Sequence, residues 1–219
     1  MRILLFSLLM LSFTLGKAQW SYGGEFSFVH FSGSTGLKHF GAGVKGEYEI
    51  NEWTGIYGTL SYFLPQSYQA NILIVAESPA IVPYTKNLPV DSRISFTHLG
   101  FGGKRYFIGR YEGDASQKFG LYGSAGFGLL FGARASDIPS FDNSVYSSPI
   151  DDEVKGVFIN WIAGLGVGAE LLVGKTYLYL SAMSRYTIDQ ANQKKIKTNV
   201  PFMFNYNFGM RIPFVAKGT

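Results

Sequence analysis

The sequence predicts an all-β fold: a single antiparallel up-and-down transmembrane β-barrel of eight strands. Three observations carry that prediction. In Val200 to Phe214 every second residue is large and apolar: Phe202, Phe204, Tyr206, Phe208, Met210, Ile212 and Phe214. The intervening Met203, Asn205, Asn207, Gly209, Arg211 and Pro213 are mostly small, polar or charged. A period of two places these sets on opposite faces of a strand, and the aromatic face suits lipid better than water. Alternation of this kind recurs along the chain upstream. Finally, charged residues make up only 16%, aromatics reach 16% and glycines number 27, whereas a soluble domain carries about 25% charged residues.

The length of 219 residues suits one domain. Met1-Arg2 opens the chain, Ile3 to Leu15 is apolar apart from Ser and Thr, and Gly16-Lys17-Ala18 puts small residues where a signal peptidase reads. This predicts a secretory signal peptide over 1–18, since the apolar run is too short to span a bilayer as a helix. The barrel is expected over 19–214, with 215–219 as a short tail. There is no cysteine, which excludes disulfides, zinc-thiolate chemistry and a lipid-modified N-terminal Cys. Without Arg2 and Lys17 the 19 basic residues fall to 17 against 15 acidic, a net +2 that does not point to nucleic acid.

In chain order, the first expected strand is Trp20 to Phe31, with Trp20, Tyr22, Phe26 and Phe28 opposite Ser21, Gly23, Glu25 and Ser27. A Gly/Ser turn leads to His39–Ile50, where Phe40, Ala42, Val44, Tyr48 and Ile50 oppose Gly41, Gly43, Lys45, Glu47 and Glu49. The third, Gly55 to Leu64, sets Ile56, Leu60, Tyr62 and Leu64 against Tyr57, Thr59 and Ser61. From Pro65 to Asp91, prolines 65, 79, 83 and 89 oppose a continuous membrane strand, so this reads as a long loop. Within it, 71–76 is expected to pair with 80–82 as a hairpin. The fourth strand, Ser92 to Phe107, changes phase between Ile94/Phe96 and Leu99/Phe101, which predicts a bulge near His98.

The fifth strand sets Phe119, Leu121, Ala125, Phe127, Leu129 and Phe131 against Tyr122, Ser124, Gly126, Gly128 and Gly132. Ala135 to Lys155 reads as a polar loop, acidic at Asp151-Asp152-Glu153. The sixth strand carries Val157, Ile159, Trp161, Ala163, Leu165, Val167, Ala169 and Leu171 outward, with Asn160, Gly164, Gly166, Gly168 and Glu170 inward. A tight turn at Val173-Gly174-Lys175 leads to the seventh, where Leu178, Leu180, Ala182 and Tyr186 oppose Tyr179, Ser181, Met183 and Arg185. A lysine-bearing loop, Asp189 to Asn199, precedes the final strand. Apart from the first turn, short and long connections alternate, as periplasmic turns and outer loops do in membrane barrels.

Alternation alone does not orient the sheet. A soluble lipocalin-like ligand-binding barrel also alternates, with its apolar face inward, but needs a charged exterior. Here the polar face is mostly Gly, Ser, Asn and Thr with single charges, which suits a narrow lumen. Aromatics near strand ends, such as Trp20, Tyr22, Tyr62, Tyr186 and Phe214, suit an interfacial girdle.

On this pattern of Gly-rich alternating strands, the Ala18-Gln19 junction and the aromatic closing strand, the chain resembles the small outer-membrane β-barrel proteins of Gram-negative bacteria. It is most similar to the porin-like eight-stranded type common in the Bacteroidetes. In that family the terminal aromatic is usually the last residue, whereas five residues follow Phe214 here. The resemblance implies residence in the cell outer membrane and insertion by the barrel assembly machinery. It implies no particular activity.

The expected inward set gives the candidate site, a polar network in the lumen of Glu25, Lys45, Glu47, Glu49, Asn160, Glu170, Arg185, Asn205, Asn207 and Arg211, joined by one of Lys104 and Arg105. An eight-stranded barrel is just wide enough for side chains to fill, so these charges must pair. A non-enzymatic, structural or surface-binding role for the outer loops follows as the expectation. The alternative is a lipid A deacylase-like enzyme using His30 and Ser32, which share the lipid face but find no outward carboxylate to orient the histidine. His39 and His98 lack partners at ligand spacing, so no metal or cofactor is expected. Lys194, Lys195 and Lys197 lie where lipopolysaccharide phosphates would be near.

Overall fold

The computed structural model describes residues 20–32, 37–109, 118–142, 144–147, 155–190 and 202–214. The expected signal peptide and the C-terminal tail lie outside these residues. The strands are β1 (Trp20–Ser32), β2 (Lys38–Asn51), β3 (Thr54–Ala76), β4 (Thr85–Ile108), β5 (Phe119–Asp137), β6 (Tyr146–Ser147), β7 (Lys155–Val173), β8 (Thr176–Gln190) and β9 (Phe202–Phe214). All except β6 join one antiparallel ring of eight, in which β5 passes directly to β7 and β9 returns to β1. The seam runs from Trp20 opposite Phe214 to Ser32 opposite Phe202. A closed ring leaves no ladder edge unpaired, which a bilayer core requires.

The alternation read from the sequence sets the two faces. Phe26 is 71% exposed, Leu165 70% and Phe208 55%, all on the outside, while Glu25, Glu170 and Asn207 on the same three strands are buried. Inward glycines make room for inward rings. A Cβ on Gly168 would overlap Tyr122, and one on Gly132 would overlap Phe158. The Tyr57 hydroxyl lies 2.6 Å from where a Cβ on Gly102 would stand. Such pairs cover bare backbone with an aromatic ring and pin the register. Both ends of the ring, Trp20 and Phe214, share one rim with the short turns 51–54 and 173–176. Gly174 there has φ +65°, the left-handed conformation a tight turn needs and glycine adopts without steric cost. In membrane barrels the rim with the short turns is the periplasmic one.

Three expectations are corrected. Residues 65–91 are not a separate loop hairpin: β3 and β4 continue together to Val75 opposite Thr85, so 71–75 pair with 85–89 and not with 80–82. The prolines are accommodated locally. Pro65 falls within a bulge between Phe63 and Gln66, and Pro89 lies beyond the last β5 pairing, Asp91 opposite Asp137, where β4 has no second strand neighbour among the described residues. Pro79 and Pro83 lie in the connecting turn. Second, β4 has no bulge at His98; its register is unbroken from Phe96 to Arg105 against β3 and from Asp91 to Tyr106 against β5. Ile94 and Phe96 face inward, into an apolar layer. Third, the stretch after Ala135 is not all loop, since β5 runs to Asp137 and β6 pairs with Val75 and Ala76.

The β3 bulge also marks a boundary. Below it the outer face of β3 carries Ile56, Leu60, Tyr62 and Leu64, all exposed. Above it the outer positions are Ser67, Gln69 and Asn71. Two phases meet there because the bulge moves the inward set from odd numbers to even ones, Gln66, Tyr68 and Ile74. The strands rise roughly 35 Å beyond it, at about 3.3 Å per residue.

Candidate functional site

All ten lumen candidates are buried, with Arg211 and Glu47 at 1% exposure. Nearest the rim of short turns, six charges assemble from four strands, β2, β4, β7 and β9. Glu47 receives Lys45 at 3.2 Å and Lys104 at 2.5 Å. Lys104 reaches on to Glu170 at 2.6 Å, and Arg211 holds the other Glu170 oxygen at 2.8 Å. Glu49 lies 3.6 Å from Arg211 Nη1. The Tyr106 hydroxyl donates to Glu170 Oε2 at 2.5 Å and accepts from Arg211 Nη2 at 3.3 Å. Each cation also stands over a ring: Lys45 on Tyr57 and Tyr179, Lys104 on Tyr106 and Tyr122, Arg211 on Tyr177. Three carboxylates against three cations leave the cluster neutral. Desolvation, which costs several kcal/mol per lone ion, is thereby offset by direct pairing.

Above it lies a second tier. Glu25 accepts from Ser61 Oγ at 3.1 Å and the Tyr179 hydroxyl at 2.9 Å. Asn207 accepts from Ser27 at 2.7 Å and donates to Ser181 at 3.3 Å. Arg185 donates to His98 Nδ1 at 3.3 Å and to the Met183 sulfur at 3.6 Å. Asn160 and Asn205 stand apart from this polar tier. They sit opposite Leu130 and Val29 in register, and Asn160 Nδ2 and Asn205 Oδ1 are buried without hydrogen-bond partners.

The outer half of the lumen is apolar. Val29, Phe31, Phe63, Ile94, Phe96, Leu130, Phe158, Ile162 and Met203 form one cluster, with Phe63 and Phe96 stacked at 4.4 Å. The His39 ring packs on Phe31 and Phe96, and its Nδ1 lies 3.2 Å from the Leu64 carbonyl. Above, the extended β3–β4 hairpin and the loop after β5 form a roof. Ile74 and Val90 are buried against Ile138, Phe141 and Tyr146. Glu77 N donates to the Val145 carbonyl at 3.0 Å, and the Tyr146 hydroxyl to the Pro83 carbonyl at 3.1 Å. Asp142 turns the chain into β6 by accepting from the hydroxyl and N–H of Ser144, which holds its carboxyl below the ordinary aspartate range.

Between Lys104 and Arg105, it is Lys104 that faces inward, while Arg105 is exposed. Tyr106, Tyr122, Tyr179 and His98 join the lumen network although sequence reasoning did not assign them to it. A strict alternation carried through β4 is the signal that finds Tyr106 and His98. His30 and Ser32 share the outer face, but Ser32 Oγ donates to the Phe202 carbonyl at 3.1 Å. The register neighbours of His30 are Lys38 and Phe204, and neither is a carboxylate. Among the described residues no group of three or more His, Cys, Asp or Glu is placed to hold a metal. Asp151-Asp152-Glu153 and Lys194, Lys195 and Lys197 lie outside the described residues.

No protein-family model matches the chain. No curated protein matches it either. Solved structures do. A major outer membrane protein from Thermus thermophilus superposes with a TM-score of 0.54 at 10% identity, covering 90% of this chain and 99% of that one. The outer membrane protein OprG from Pseudomonas aeruginosa gives 0.50 at 13% identity, covering 91% and 97%. The chain thus has the fold of the Gram-negative outer-membrane β-barrels.

Proposed function

We propose that this chain is an integral barrel of a Gram-negative outer membrane, exported by the segment 1–18 and inserted by the barrel assembly machinery. Its role is structural or surface-binding, is carried by the outer loops and is not enzymatic. One observation carries the reading: a loop roof with its own apolar core of Ile74, Val90, Ile138, Phe141 and Tyr146 stands over a lumen filled by side chains. A filled lumen favours a scaffold over a wide pore. Ordered loops on a rigid scaffold are where binding usually resides. Lipopolysaccharide surrounds such loops and is their nearest anionic partner. Gly-rich strands and the Ala18-Gln19 junction support grouping the chain with the porin-like barrels common in the Bacteroidetes.

The test replaces residues 77–84 and 138–147 with short turns. Outer-membrane fractionation and gel mobility with and without boiling are expected to be unchanged, while binding to lipopolysaccharide vesicles falls. Loss of the heat-shifted band would contradict a division between scaffold and loops. The acylation pattern of lipid A, read by mass spectrometry, is expected to be the same with and without the protein; a changed pattern would return attention to His30 and Ser32.

A further inference from the structure

We propose that the lumen holds one small inorganic anion of halide size between Arg185, His98 and Thr59. The three residues line a small, partly open cavity of about 10 Å3, room for a single water-sized particle, bounded by Ile162 of the apolar layer. Arg185 is buried at 7% exposure, and among the described residues it forms no ion pair. Its guanidinium bonds only to His98 Nδ1 and the Met183 sulfur, and neither carries negative charge. Accepting from Arg185 at Nδ1 leaves His98 with its proton on Nε2, a donor. Thr59 Oγ1 is buried without a hydrogen-bond partner.

The chemistry of the lining selects an anion over water. Its polar groups are a guanidinium, a hydroxyl, a phenol and an imidazole N–H, and no carboxylate lines the cavity. Glu25, the remaining buried lumen acid among the described residues, has one oxygen bonded to Ser61 and the other to Tyr179. A water in the cavity must place its own hydrogens where acceptors are scarce and gives the guanidinium no negative charge in direct contact. A halide accepts from several donors at once and sets a negative charge directly against the guanidinium, which Glu25 does not touch.

The full chain, crystallised from detergent with bromide in place of chloride, tests the proposal. A single anomalous peak within hydrogen-bond reach of Arg185 and Thr59 is expected. At constant ionic strength the unfolding midpoint is expected to rise saturably with chloride or bromide but not with gluconate. Thr59→Val, close to threonine in volume, removes one donor to a charged group and raises the half-saturating halide concentration about tenfold. Arg185→Met abolishes the peak and the halide dependence. Should that variant not fold, Thr59→Val and the wild-type peak still decide. Density for water alone at saturating bromide, or a midpoint that follows ionic strength whatever the anion, overturns the site.

Discussion

The ammonium of Lys104 on β4 stands 2.6 Å from Glu170 Oε1 on β7, although β5 separates the two strands in the ring. The same ammonium meets Glu47 on β2, with β3 between. One side chain therefore ties together strands that share no backbone ladder. Removing it with Lys104→Met strips both carboxylates of a partner and is expected to cost about 3–5 kcal/mol. Urea unfolding in lipid vesicles measures this. Adding Glu170→Gln should recover part of the loss, and simple additivity of the two changes would show that the pair is not coupled.

Gly168 and Gly46 separate the two faces of the wall. A side chain at 168 collides with Tyr122 in the lumen, whereas nothing lies within 4 Å of a Cβ at 46. Gly168→Ala is expected to destabilise by about 1–3 kcal/mol through overpacking, and Gly46→Ala to change stability little. Parallel unfolding midpoints of the two variants check the assignment; equal effects would argue against the inward ring.

Phe208 lies on the outer face opposite Phe26, within the apolar band, and Asn71 lies on the outer face above the β3 bulge. If the band meets hydrocarbon, Phe208→Arg costs about 2–4 kcal/mol near the midplane. Asn71→Arg, at a water-facing position, should be close to neutral. Folding yields into vesicles compare them directly, and a neutral Phe208→Arg would place the membrane elsewhere.

Val90 is fully buried in the roof and takes no part in the lumen cluster. Val90→Asp puts a carboxylate among Ile74, Phe141 and Tyr146 and is expected to open the roof while the ring stays intact. Limited proteolysis should then cut within 77–84 or 138–147, while the heat-dependent gel shift remains. Loss of the shift itself would mean that roof and ring fold as one unit.

The inward and outward sets of β1, β2, β5, β7, β8 and β9 were readable directly. In those strands one face is apolar along its whole length, while the other is mostly small or polar apart from the lumen residues Val29, Phe31, Leu130, Phe158, Ile162 and Met203. β4 was not readable in this way. Ile94 and Phe96 look like lipid-facing residues but plug the lumen, and a bulge inferred from their phase is absent. The extended hairpin was obscured by its prolines, because sequence does not show that Pro65 falls in a bulge or that Pro89 lies past the end of β5.

By itself the sequence determined the closed, alternating architecture and the buried charges apart from the choice between Lys104 and Arg105. Successive strand residues must point to opposite sides, and a bilayer leaves no open edge unsatisfied. Only the tertiary structure decided which charges meet and what the outer half of the lumen contains. Lys104 bonds across intervening strands, and such contacts depend on register and ring curvature, which no single strand encodes. A period of two likewise separates one face from the other without saying which apolar stretch turns toward lipid and which toward the axis.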